Sequence, residues 1–195
     1  MKNIIIYDFD GTLTPYPMPK FEVLEQCGIK DGASNPMFIN LARKKAVEKK
    51  IDLYEAVYET YLEILINNGK SLTNENFTLG SKNVQYNNGV INFLRKVKQH
   101  KIKNYLLSSG IKVFLDKVSI APYFEEIYAT TFTYNQNHEA VGINFLMNDK
   151  NKIEAIKKIL EKNDISKDDC TKIIYIGDGL SDFYAMNYVK KYGGV

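Results

Sequence analysis

Asp8 and Asp10 stand two residues apart, directly after Ile4-Ile5-Ile6-Tyr7 and directly before Gly11 and Thr12. Two acids that close repel each other unless a cation or a shared proton relieves them. The β-branched run before them reads as a short buried strand, and Gly11 lets the backbone turn behind them. In an open α/β sheet, ligands bind beyond the carboxyl ends of the strands, which is where these aspartates would stand. Asp-Gly is also a common turn pair after a strand, but that reading leaves the second acid and Thr12 unexplained. A second acidic turn, Gly177-Asp178-Gly179-Leu180-Ser181-Asp182, follows another short apolar run, Ile173-Ile174-Tyr175-Ile176. Asp182 lies one helical turn beyond Asp178, on the same side. The turn is not a dinucleotide fingerprint, because the G-x-G-x-x-G spacing is missing and a carboxylate occupies it.

Two further places have the residue types that phosphate chemistry uses. Ser108-Ser109-Gly110 follows the apolar run Tyr105-Leu106-Leu107 and is expected to open a helix. A hydroxyl and free backbone N–H groups at a helix N-terminus suit a phosphate; read alone, the serines are more often an ordinary cap. Lys150 stands at the start of the amphipathic segment Asp149 to Lys162, which carries Ile153, Ile156, Ile159 and Leu160 on one face. A lysine there normally faces solvent.

These residues need a scaffold, and the rest of the chain reads as one. Strands are expected at 4–7, 102–107, 126–134, 140–147 and 173–176, with helices from Asn87-Asn88-Gly89 to about His100, after Gly110 to about Val118, over 149–162 and over 180–190. Alternating strands and helices imply an α/β, doubly wound parallel sheet. The stretch 15–85 interrupts that alternation. It leaves the first turn as the stiff connector Pro15-Tyr16-Pro17-Met18-Pro19. Helices then follow from Phe21 to Cys27, from Asn35-Pro36 to about Lys50, from a capping-box pattern at Asp52-Leu53-Tyr54-Glu55 to Asn67, and weakly over Thr73 to Leu79. The expected division is therefore a core of 1–14 and 86–195 with a helical insert over 15–85. The end, Tyr192-Gly193-Gly194-Val195, reads as the approach to a further strand, so a C-terminal element is expected beyond it.

Composition narrows the function classes. At 195 residues, 45% apolar and a net charge of +3, the chain has a full core and scattered lysines rather than a basic face. That argues against nucleic acid as the main partner. Cys27 and Cys170 form no metal or redox motif. The apolar start is cut short by Asp8, too early for a signal peptide or a membrane span, so no membrane partner and a cytoplasmic location are expected. Monomer and dimer are equally open.

Asp8-Phe9-Asp10-Gly11-Thr12 resembles the first motif of the haloacid dehalogenase (HAD) superfamily, and the other three motifs of that family follow in order: Ser108, Lys150 with Lys152 as the fallback, and the turn at Asp178. The helical insert and the paired strands after Ser108 resemble its phosphoserine-phosphatase-like branch, which carries a small helical cap. The resemblance implies a Mg²⁺-dependent phosphatase acting on a small-molecule phosphate ester through an aspartyl-phosphate. Asp8 would be the nucleophile, Asp10 the acid and base, and Ser108 and Lys150 the groups on the phosphoryl oxygens. Mg²⁺ would sit among Asp8, the Asp10 carbonyl and Asp178, with Asp182 ordering its waters or orienting the lysine. Thr12, Ser109 and Gly110 would complete the substrate-binding set. Arg43, one of two arginines, could extend it from the insert, although a solvated helix face is the commoner reading. Asp10 is lacking in dehalogenase members, so its presence implies phosphoryl transfer. Serine phosphatases of the branch carry an acid shortly after the first motif to hold the substrate amine; here no carboxylate precedes Glu22, which speaks against phosphoserine. Rival readings are a phosphotransferase or phosphomutase using the same site, and a catalytically silent phosphate- or metal-binding module.

Overall fold

β1, Ile4–Tyr7, is buried along its whole length and hydrogen-bonded on both sides, which is why it reads as an uninterrupted apolar run. The computed structural model describes residues 3–18, 23–29 and 36–195; the expectations for Pro19, Phe21, Glu22 and Asn35 lie outside the described residues. The sheet has five strands in the order β4-β3-β2-β1-β5. β2 (Lys103–Ile111) and β5 (Ile173–Ile176) flank β1 in parallel, β3 (Glu126–Tyr134) continues in parallel on β2, and β4 (Ala140–Phe145) closes the edge antiparallel to β3. The carboxyl ends of β1, β2 and β5, which carry the acidic and serine turns, therefore lie side by side.

Alternate residues of β1 enter two cores, one on each face. Ile5 and Tyr7 join Leu94 and Val97 of α5, Val90–Gln99. Ile4 and Ile6 join Ile156 and Ile159 of α7 (Asp149–Lys162) and Ala185 and Val189 of α8 (Phe183–Lys191). Helices on both faces of a mostly parallel sheet make the chain an α/β fold. β5 also has an outer neighbour at its edge: Tyr175 N–H donates to the Val195 carbonyl at 2.7 Å, and Val195 N–H to the Ile173 carbonyl at 3.1 Å.

Between β1 and α5 the chain forms α1 (Val23–Gln26), α2 (Pro36–Lys49), α3 (Leu53–Asn67) and α4 (Asn74–Ser81). Asp52 caps α3 by accepting from Tyr54 N–H, and Gly69, at φ +62°, closes it with Lys70 N–H on the Leu65 carbonyl. α3 buries Tyr58, Tyr61, Leu62 and Leu65, whereas Leu53 and Ile66 are exposed. Thr73 and Asn76 form the capping box that starts α4. The buried side of these helices meets the hairpin of β3 and β4, with the Tyr58 ring edge-on to Phe132.

Several expected boundaries move, β4 ending at Phe145 rather than Met147 among them. β2 does not stop at Leu107: it runs through Ser108-Ser109-Gly110 to Ile111, with a shift in its register to β3. The helix after it, α6, is only Lys112–Leu115. The serine turn is satisfied without a helix, because Gly110 N–H donates to Ser108 Oγ at 3.0 Å and Thr130 Oγ1 donates to the Ser109 carbonyl at 3.0 Å. The last helix starts later than expected, at Phe183, after a 3₁₀ turn over Leu180–Asp182.

Candidate active site

Asp8 follows the last residue of β1, and its N–H donates to the Ile176 carbonyl of β5 at 2.8 Å, which fixes the backbone at the strand end. Its side chain is buried, and Oδ1 accepts from Lys152 Nζ at 2.9 Å. The same ammonium donates to Asp182 Oδ1 at 2.7 Å. Lys152 is completely buried, its charge bracketed by two carboxylates. Burial disfavours its ammonium, but Asp8 and Asp182 outweigh burial and leave its pKa raised.

The lysine bonded to Asp8 is thus Lys152 and not Lys150, which is exposed and borders a separate cavity of about 580 Å³ with Asp52, Asn148, Ile153 and Tyr184. The physical reason lies in the helix period. The buried stripe of α7 is Lys152, Ala155, Ile156, Ile159 and Leu160, so Lys152 extends the apolar face by one turn while Ile153 sits off it.

Asp10 is turned toward Met18, whose N–H donates to its Oδ1 at 2.8 Å. Burial chiefly, then the Asp8 charge, pushes its carboxyl up to about 7. Asp8 is pushed up to about 6, again chiefly by burial, with Lys152 pulling it back. Gly11, at φ +78°, allows Asp178 to come close: a Cβ there would lie 2.2 Å from Asp178 Oδ2. Thr12 Oγ1 donates to Asp178 Oδ1 at 3.3 Å, and Asn87 Nδ2 holds the Thr12 carbonyl at 2.9 Å. Asp8, Asp178 and Asp182 bring one carboxylate oxygen each within 4.8 Å of one another. An all-oxygen cluster with one exposed acid suits a hard divalent cation such as Mg²⁺.

Ser108 is buried on β2 beside β1, its Oγ accepting from Gly110 N–H. Ser109 Oγ is buried with no hydrogen-bond partner, and its carbonyl takes Thr130 Oγ1 and, at 2.5 Å, Tyr58 OH from α3. Of the expected set, Asp8, Lys152 and Asp182 are joined by hydrogen bonds, and Asp178 faces them across Gly11. Arg43 stands exposed on α2 and is not drawn into this cluster. Sequence reasoning did not single out Tyr58, Asn87, Thr130 or Tyr175. Tyr175 had a usable signal, a hydroxyl inside an otherwise aliphatic strand.

The model of the haloacid dehalogenase-like hydrolase family matches residues 5–187. The chain belongs to that family. Among solved structures, a HAD family hydrolase from Salmonella enterica subsp. enterica serovar Typhi superposes with a TM-score of 0.73 at 19% identity, covering 95% of this chain and 59% of that one. A substrate-bound phosphoserine phosphatase gives 0.71 at 18% identity, over 96% and 83%. A probable phosphoserine phosphatase from Vibrio cholerae gives 0.70 at 13% identity, over 95% and 53%. At these identities the likeness is one of fold. The haloacid dehalogenase-like chain thus spans 59% of the Salmonella structure's chain and 53% of the Vibrio one. No curated protein matches it by sequence. The family match itself supports a hydrolase. Among the described residues, no helix is long and apolar enough to cross a membrane.

Proposed function

We propose that the chain is a cytoplasmic, Mg²⁺-dependent phosphatase that hydrolyses a small-molecule phosphomonoester through an aspartyl-phosphate on Asp8. The observation that carries this reading is the buried ammonium of Lys152, 2.9 Å from Asp8 Oδ1. A fixed cation beside a carboxylate keeps that carboxylate ionised and offsets its repulsion for an incoming phosphate. Asp8 attacks phosphorus with its free oxygen, and the bond to the leaving alkoxide breaks. Asp10, with a carboxyl pushed up to about 7, holds a proton for that alkoxide. It then takes one from the water that cleaves the acyl phosphate, because a group titrating near neutrality serves both steps. Ser108 keeps its hydroxyl proton for a phosphoryl oxygen, its lone pair being engaged by Gly110 N–H. Asp8, the Asp10 carbonyl and Asp178 are the residues that would hold Mg²⁺, which when bound neutralises charge on the transferring phosphoryl group.

Residues 15–85 are the proposed cap, and the Tyr58 hydroxyl on the Ser109 carbonyl is a direct tie between that cap and the serine turn. The test is release of phosphate from p-nitrophenyl phosphate with and without Mg²⁺, in the wild type and in Asp8→Asn. Activity that needs the metal and disappears in the variant supports the reading. If a selective cap excludes that ester, BeF₃⁻ binding to the wild type decides. A chain that neither turns over nor binds BeF₃⁻ is not this enzyme.

A further inference from the structure

Tyr175 lies on β5 in the apolar core shared by Ile4, Ile6 and Tyr105, and is 5% exposed. A hydroxyl in such a core costs stability unless it is hydrogen-bonded. It donates to Asp182 Oδ1 at 2.6 Å, the same oxygen that takes Lys152 Nζ at 2.7 Å. The other oxygen, Oδ2, faces Gly179 N–H at 3.3 Å. Both oxygens of Asp182 therefore have donors, two of them converging on one atom.

Resting on the reading above, we propose that Tyr175 is a positioning residue for the reaction: through Asp182 it fixes Lys152 against Asp8. Three effects follow from the geometry. Asp182 cannot rotate away from Lys152 without breaking the Tyr175 bond. The phenol shares the Asp182 charge, so Asp182 holds Lys152 less tightly and leaves more of its positive charge for Asp8 and an arriving phosphoryl group. Asp182 Oδ1 is also committed to protein donors, so its part is to orient the lysine, while Asp8 and Asp178 are the acids left for a cation. Burial, and next the Asp182 charge, raises the Tyr175 pKa far above that of a free tyrosine, so the hydroxyl remains a donor.

The test is Tyr175→Phe, which removes one oxygen and keeps the ring in the core. Its first readout is the crystal structure of the metal-free variant beside the wild type, which is independent of turnover. Asp182 should rotate and Lys152 Nζ should lose hydrogen-bond distance to one of its two carboxylates; a lysine still bridging both overturns the proposal. The second readout is kinetic. With p-nitrophenyl phosphate, kcat should fall roughly 5- to 30-fold, with KM and the Mg²⁺ requirement changed by less than about two-fold. In an Asp182→Asn background the same substitution should change kcat by less than about two-fold, because the route it acts through is gone. Equal losses in both backgrounds, or none in either, mean that Tyr175 only fills space. A wild type that shows no Mg²⁺-dependent turnover and no BeF₃⁻ binding sinks the phosphatase reading, and the crystallographic comparison still decides what Tyr175 does to Lys152.

Discussion

Lys152 Nζ and Asp8 Oδ1 meet at 2.9 Å although 144 residues separate them in the chain. The contact exists because β1 ends at Tyr7 and α7 packs its stripe over Ile4 and Ile6, so the first turn of α7 overhangs the strand end. Both partners are out of water, and a third charge, Asp182, is tied to the same ammonium.

Lys152→Ala removes a charge that two buried carboxylates depend on. Breaking a buried ion pair by deleting one partner costs about 3–5 kcal/mol. The variant should melt well below the wild type and should have lost phosphate release. Lys150→Ala, on the exposed face of the same turn, should leave both unchanged. Thermal melts and initial rates on the two variants check this. If Lys150→Ala were the inactive one, the assignment of the site lysine would fall.

Much of this arrangement is written in the local sequence, and the failures have physical causes. The strand ends before Asp8 and Asp178 are legible because a buried parallel strand needs an unbroken apolar run and the polar residues begin where it stops. Lys152 was harder. Periodicity arguments count apolar residues, and the stripe of α7 contains a lysine that is buried only because two distant acids neutralise it. The end of β2 is not legible, because side chains, Ser108 Oγ and Thr130 Oγ1, satisfy backbone groups that the local pattern assigns to a helix start. Thr130 is 21 residues from Ser109, and no local pattern announces such a bond.

Asp10 gives a prediction in pH. Its carboxyl is pushed from an ordinary value near 4 to about 7 in the fold, chiefly by burial. The folded state then binds a proton more tightly than the unfolded chain. The Asp10 contribution to metal-free stability should be full below the unfolded value, be lost as pH rises from ~4 to ~7, and level off above the folded value. In Asp10→Asn that fall should be reduced, so without Mg²⁺ the variant should melt higher than the wild type at pH 8 and equal to it near pH 4. A gap that stays constant over this range would mean that Asp10 does not titrate as described. The same variant should lose turnover far more than Mg²⁺ affinity; equal loss of both would make its role structural.

Gly11 separates backbone strain from crowding at the acid cluster. Its φ of +78° disfavours any side chain, and a Cβ there would stand 2.2 Å from Asp178 Oδ2. Gly69, at φ +62°, has the first problem without the second, since nothing lies within 4 Å of its would-be Cβ. An alanine at either position should cost stability of about 1 kcal/mol from the left-handed backbone alone. Only Gly11→Ala should also push Asp178 away from Asp8, so it alone should raise the Mg²⁺ concentration needed for half-maximal activity, by about ten-fold or more if Asp178 is a ligand. Magnesium titrations of the rate, with melting curves to match the two variants for stability, make the comparison. Equal Mg²⁺ requirements in the two variants would remove Asp178 from the cation site, because the carboxylate would have moved without consequence.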